Sequence, residues 1–265
     1  MQIAYSMTSS IAFFILATIA YIMVKYAMSP GNPNAEGDKT WMVTMAYVFI
    51  TLLAQLIANF SNAKAICDGS TQSFGLIFMY TLIPYFFILG TVMVLLSIFP
   101  GWASPFSNTI GYLIISAMGL SNTFKKLLEP PGNGNELLMH ICSDKSLVVN
   151  EMTKYNYDDF MKSLSKTTSG GNILIPNYKT KEEDGVNFYE KLYKLIQLKN
   201  IIGAGIWYLL AGCLAISIAN NVVIGIQCDY DAKAMKDISE KVKAQQAQLH
   251  AENENNKPAL YTKHI

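Results

Sequence analysis

The chain alternates between long runs that carry almost no charge and stretches dense in charge and turn formers. Crossing roughly 30 Å of hydrocarbon takes about 20 apolar residues in a helix. Four runs meet that length: 3–28, 41–60, 74–99 and 200–226. Lys25 and Tyr26 sit where a snorkelling cation and an interfacial aromatic belong, and Trp41 sits as an anchor at the start of the second run. Pro84 interrupts the third run and predicts a kink, read either as packing geometry or as a hinge. Gly203, Gly205 and Gly212 give the fourth run small positions for close helix contact.

The segments between these runs predict the remaining elements. Residues 109–120 are apolar but short for a span. As one helix over about 108–128, Ile110, Leu113, Ile114, Ala117, Met118, Phe124 and Leu128 share a stripe. That pattern fits a helix in the interface plane, with Trp102 before it and Lys125 and Lys126 meeting headgroups. A fifth span is the competing reading. Residues 129–199 form the one sizeable polar region, with room for only a small core. Within it 146–152 and 173–175 read as strands, and 157–166 as a short helix. An amphipathic helix over 184–198 runs on into the fourth span. Residues 227–265 read as a polar helical tail with a disordered end. The whole predicts a mainly α, polytopic helical membrane protein. It has about four transmembrane helices, one interfacial amphipathic helix and a small α+β extramembrane module.

Composition agrees: 51% of residues are hydrophobic and only 15% charged, against about a quarter charged in an ordinary soluble domain. The net charge of +1 leaves no basic footprint for nucleic acid. Every basic residue is a lysine, which removes the bidentate guanidinium clamp for phosphate or carboxylate. The first run has no positive leader and no small-x-small cleavage pattern before Lys25, so it reads as a retained span.

Four spans put both ends of the chain on one side of the membrane, with the first loop and the polar region on the other. Span-end lysines favour the polar-region side, with Lys25, Lys39, Lys125, Lys126, Lys194 and Lys199 against Lys64, Lys233 and Lys236. The positive-inside rule then places the polar region in the cytosol. Cys67 and Cys228 would share the opposite, non-cytosolic face, where a disulfide between them can persist; two unrelated juxtamembrane cysteines is the competing reading.

Catalytic chemistry is not visible. No GxSxG, HExxH, P-loop or dinucleotide glycine pattern occurs, and four cysteines without a CxxC pair, with three histidines, argue against a zinc site. No catalytic, cofactor-binding or metal-binding residue is assigned. Asp158 and Asp159 are adjacent and so point apart on a helix. His140, Cys142 and Asp144 lack a marked third partner. The span interiors hold no ionisable residue of the kind transporters use; Gln55, Asn59, Asn220 and Asn221 read as interhelical hydrogen-bond partners.

Three segments, FPGWASPFSNTIGYLI from Phe99, DKSLVVNEMT from Asp144 and LKNIIGAGIWYLLAGCLAISIANNVVI from Leu198, resemble a family of multi-span membrane proteins of nucleocytoplasmic large DNA viruses. The resemblance implies a structural protein of the virion inner membrane, inserted through host endoplasmic reticulum. It would anchor that membrane beneath an icosahedral shell by contacts with capsid or minor capsid proteins, and with further copies of itself. A channel or transport subunit is the alternative, and a membrane-fusion or entry factor a third reading. The family offers no catalytic residues to carry over.

Overall fold

The computed structural model describes residues 2–33, 40–67, 74–129, 136–166, 173–225 and 232–255. The protein is mainly α and polytopic. Among the described residues four helices are long and apolar enough to cross a membrane: Thr8–Met28 within α1 (Gln2–Met28), α2 (Thr40–Ile66), Phe74–Ile98, and α11 (Phe188–Ile224).

The four alternate in direction. Thr18 meets Tyr47 and Tyr21 meets Thr44, so α1 and α2 run antiparallel. Asn59 meets Thr81 and Tyr85 meets Thr51, so the third span turns back along α2. Phe14 faces Gly212 and Ile22 faces Gly205, which sets α11 antiparallel to α1. Phe14, Tyr21, Tyr47, Tyr85, Leu89, Tyr208 and Ile216 fill the bundle core. Ala63, Ile77 and Val223 close it at one end.

The third span is α3 (Phe74–Pro84), a π-helical turn at Tyr85–Gly90, and α4 (Thr91–Ile98). Pro84 has no N–H to give the preceding turn, and the hydrogen-bond ladder re-forms just after it in the wider turn. A second π turn, Ser107–Gly111, follows Pro105 between α5 (Ser104–Phe106) and α6 (Tyr112–Ala117).

The region predicted as a single helix over 108–128 is broken at Gly119. Its φ of +91° is left-handed, a conformation glycine adopts without the cost a side chain brings. The break divides the predicted stripe. Ile110, Leu113, Ile114 and Met118 stay exposed, whereas Phe124 in α7 (Leu120–Lys125) and Leu128 turn into the core of the polar region. Residues 104–111 meanwhile run lengthwise and antiparallel to α11: Trp102 bonds Trp207, Ser107 bonds Asn200, and Gly111 abuts Lys199.

The polar region packs Leu127, Val149, Met152, Tyr157, Met161 and Leu192 into one core. Of the two strands expected, 146–152 is a helical turn instead, α9 (Ser146–Val149). Asp144 accepts from both the N–H and the hydroxyl of Ser146, at 2.9 and 2.6 Å, and that local turn overrides the β preference of Val148 and Val149. At Ile173–Ile175 only an isolated bridge forms, Leu128 to Leu174. The short hairpin is β1 (Glu182–Glu183) with β2 (Val186–Asn187), in place of the first turn of the helix expected from 184. α8 (Glu136–Ser143) precedes α9, and α10 (Tyr157–Ser165) lies where a helix is predicted.

α11 is the connecting element, so a domain boundary at 199/200 falls inside an unbroken helix. Asn187 caps it, its side-chain oxygen accepting from the N–H groups of Tyr189 and Glu190 at 2.9 and 3.2 Å. Leu192, Leu195 and Ile196 belong to the module core, while Tyr208, Ala215 and Ile216 belong to the bundle core. α12 (Ala232–Asn255) is the predicted tail helix.

Asp158 ties the module together. It accepts from Lys162 at 2.5 Å, Lys179 at 2.7 Å and the Tyr189 hydroxyl at 2.6 Å. These bonds hold its carboxyl well below the usual carboxylate range. A depressed folded-state pKa contributes stability that is present above the unfolded value of about 3.9 and is lost as pH falls toward the folded value. Asp158→Asn should therefore lower the melting temperature at neutral pH and flatten its decline on acidification. Parallel pH profiles for wild type and variant would contradict this.

Candidate functional site

The polar atoms of the bundle form one seam, and α2 supplies most of it. Its buried positions are Thr40, Thr44, Tyr47, Thr51, Gln55, Asn59 and Ala63, polar in all but the last. Its opposite side exposes Trp41, Met45, Phe49, Leu53, Ile57 and Phe60. Such an inside-out helix suits lipid: the apolar face needs no burial against protein, whereas each polar group needs a partner within the bundle.

The partners are found. Gln55 Nε2 donates to Asn59 Oδ1 at 2.8 Å and to Asn220 Oδ1 at 3.4 Å, and Asn59 Nδ2 donates to Thr81 at 2.9 Å. Asn220 Nδ2 is buried without an acceptor. Further along, the Tyr21 and Tyr47 rings stack at 4.6 Å, and Tyr47 shares a 2.8 Å hydrogen bond with Thr18. Lys25 Nζ then donates to the Tyr21 hydroxyl at 2.8 Å and to Thr44 at 2.9 Å.

Lys25 also borders a cavity of about 480 Å³ between the spans and the module. Lys154 and Lys199 share its wall, together with Trp41, Tyr155 and Tyr193. Among the described lining residues there is no Asp or Glu. Lys199 is only 1% exposed. Its ammonium donates to Asn108 Oδ1 at 3.0 Å and to the main-chain oxygens of Val149 and Asn150 at 2.8 and 3.4 Å, all neutral acceptors. Asn108 reaches it because the π turn presses onto α11. A Cβ on Gly111 would stand 2.7 Å from the Lys199 carbonyl oxygen, so only glycine allows this approach.

The residues singled out from sequence take varied places. Trp41 is 62% exposed at the cavity rim. Trp102 is also exposed, stacks on Phe99, and accepts the Trp207 indole N–H at its carbonyl. Lys125 is exposed. Lys126, expected at headgroups, pairs instead with Glu183 of the hairpin at 2.6 Å. Gly203 faces Ala103 and Ser107, Gly205 faces Ile22, and Gly212 faces Phe14. Lys199, counted from sequence as a span-end charge, is enclosed. Sequence reasoning singled out Gln55 and Asn59 but missed the threonines of their stripe, which the spacing of Thr40, Thr44, Thr51, Gln55 and Asn59 would have revealed.

Cys67 is disulfide-bonded, the thiols of Cys142 and Cys213 are free, and Cys228 lies outside the described residues. Cys67 follows α2 at the end of the bundle where α11 finishes at Ile224. A non-reducing digest should recover the Cys67 peptide joined to the Cys228 peptide; a Cys67 peptide joined elsewhere or carrying a free thiol would refute the pairing.

No family model, curated protein or solved structure matches this chain. The chain is an integral membrane protein on the strength of its four apolar helices, and the chemistry of the cavity and seam stands on their geometry alone.

Proposed function

We propose that the protein is a structural membrane anchor that holds its module rigidly against one face of a bilayer. α11 carries this reading. Its 37 residues amount to about 55 Å of helix, against roughly 30 Å of hydrocarbon. It is unbroken and contributes side chains to both cores, so the module cannot swing about a linker. The seam supports the same reading, because side chains bonded to one another fill it.

The resemblance to the viral family gives the anchor a setting: an inner membrane fastened to a capsid shell, with the module meeting capsid or minor capsid proteins. Purified particles should then contain the protein, with density for its module between bilayer and shell. Recovery solely from infected-cell membranes would overturn that assignment. The lysine bias favours a cytosolic module, which protease digestion of sealed membranes should degrade from the cytosolic side.

A channel or transport subunit is the second reading, favoured by the cavity standing at the head of the polar seam. Ion flux through reconstituted vesicles above that of empty vesicles would support it over the anchor.

A further inference from the structure

We propose that the flank formed by residues 104–118 lies in lipid, so that the bilayer reaches along this side of α11 as far as Met118. The exposed positions carry the inference. From 109 to 118 they are Thr109, Ile110, Leu113, Ile114, Ala117 and Met118, apolar in all but the first. Past the left-handed Gly119 they are Ser121, Asn122, Lys125 and Lys126, every one polar. A helix face turned to water carries polar and charged groups, yet no Asp, Glu, Lys or Arg occurs from Gly69 to Phe124. Thr109 turns its hydroxyl back onto the Pro105 carbonyl, as Ser97 of the third span does onto that of Met93. An exposed hydroxyl is satisfied in this way where water is absent. The apolar face is also continuous with the lipid-facing end of the third span, through the exposed Ile98, Phe99 and Trp102.

The packing around α11 says how the bilayer reaches so far. Gly203 and Gly205 are two positions apart, about 200° around a helix. They face Ser107 and Ile22, so residues 104–111 and α1 pack on opposite sides of α11. On the α1–α2 side Lys25 and Trp41 mark the hydrocarbon edge. Gly111 abuts Lys199, further out along α11 than the Ile22–Gly205 contact, and the chain continues outward to Met118. The 104–118 side therefore sits deeper than the α1–α2 side. A tilt of about 20°, ordinary for membrane helices, brings that about. The inference rests on membrane integration alone and holds for an anchor and for a conduit alike.

The test places a bimane label at Leu113→Cys in the full chain, in phosphatidylcholine vesicles and without reductant. Cys142→Ser and Cys213→Ala remove the free thiols, and that background without an added cysteine sets the blank. Phe49→Cys, on the outward face of α2, is the lipid reference, and Glu182→Cys, exposed on the hairpin, is the water reference. Phosphatidylcholine brominated in its chains should quench the labels at Leu113→Cys and Phe49→Cys alike and spare the one at Glu182→Cys. Iodide on both sides of the membrane should quench at Leu113→Cys at least about tenfold less than at Glu182→Cys, because an ion enters hydrocarbon only by losing its hydration shell. Ile114→Cys repeats the test should Leu113→Cys fold poorly. Iodide quenching equal to that at Glu182→Cys would overturn the proposal by placing the flank in water. Protection from both quenchers would overturn it by placing the flank against another protein chain.

Discussion

Gly203→Leu should prevent the segment that follows the third span from docking on α11, and should cost the protein most of its thermal stability in detergent. Even a Cβ at this position would lie 2.8 Å from the Ala103 carbonyl oxygen, the Ser107 nitrogen and the Ser107 Cβ. Two of those three atoms are backbone and cannot rotate away, so the helices must separate. Overpacking of this kind costs about 1–3 kcal/mol for modest additions, and a whole leucine exceeds that range. Separation would also break the Ser107–Asn200 bond and draw Asn108 away from Lys199.

Alanine at the three glycines gives a graded version of the same experiment. Alanine gains about 1 kcal/mol of helix propensity over glycine, which offsets part of any clash. Gly203→Ala should be the most destabilising, because it meets backbone. Gly212→Ala comes next, since it meets the Phe14 ring, itself held in the bundle core. Gly205→Ala meets only the flexible end of Ile22 and should be nearly neutral. Equal losses at all three sites, measured as melting temperatures in one detergent, would show that close helix approach is not what these glycines provide.

Asn59→Leu is the second large expected effect. Asn59 is fully buried and both accepts from Gln55 and donates to Thr81, so its loss unpairs groups on α2 and on the third span together. Only the Thr81 bond joins two helices; such bonds in membranes average about 0.6 kcal/mol and reach about 1.7, and the Gln55 bond within α2 adds about 0.5–1.5, which puts the cost at about 1–3 kcal/mol. Replacing Gln55, Asn59 and Asn220 together by leucine should cost less than the summed single variants, because no amide is then left unsatisfied and only Thr81, which still donates to the Ile77 carbonyl, loses a donor. If the three single losses simply add, the amides do not act as one network.

The limits of sequence reasoning show at particular residues. The strand expected at 146–152 rested on Val148 and Val149, and the short-range bonding of Asp144 to Ser146 decided otherwise. The stripe drawn through 108–128 assumed a continuous helix, and one left-handed glycine ended it. Lys199 looked like its neighbours Lys191 and Lys194 along the chain. Its burial depends on Asn108, Val149 and Asn150, which come from elements about 50 and 90 positions away.

The sequence by itself determined the membrane class, the number of apolar spans and their approximate ends. The bilayer tests each segment separately for length and charge, and a local property is readable locally. The spacing of the α2 threonines with Gln55 and Asn59 also sets them on one helical face without reference to any neighbour, although only the two amides read from it as inward partners. Only the tertiary structure decided which partner each inward group meets, which glycine admits another backbone, and which of twenty lysines is enclosed beside the cavity. Those outcomes depend on elements that meet only once the chain is packed, and no spacing along the chain encodes them.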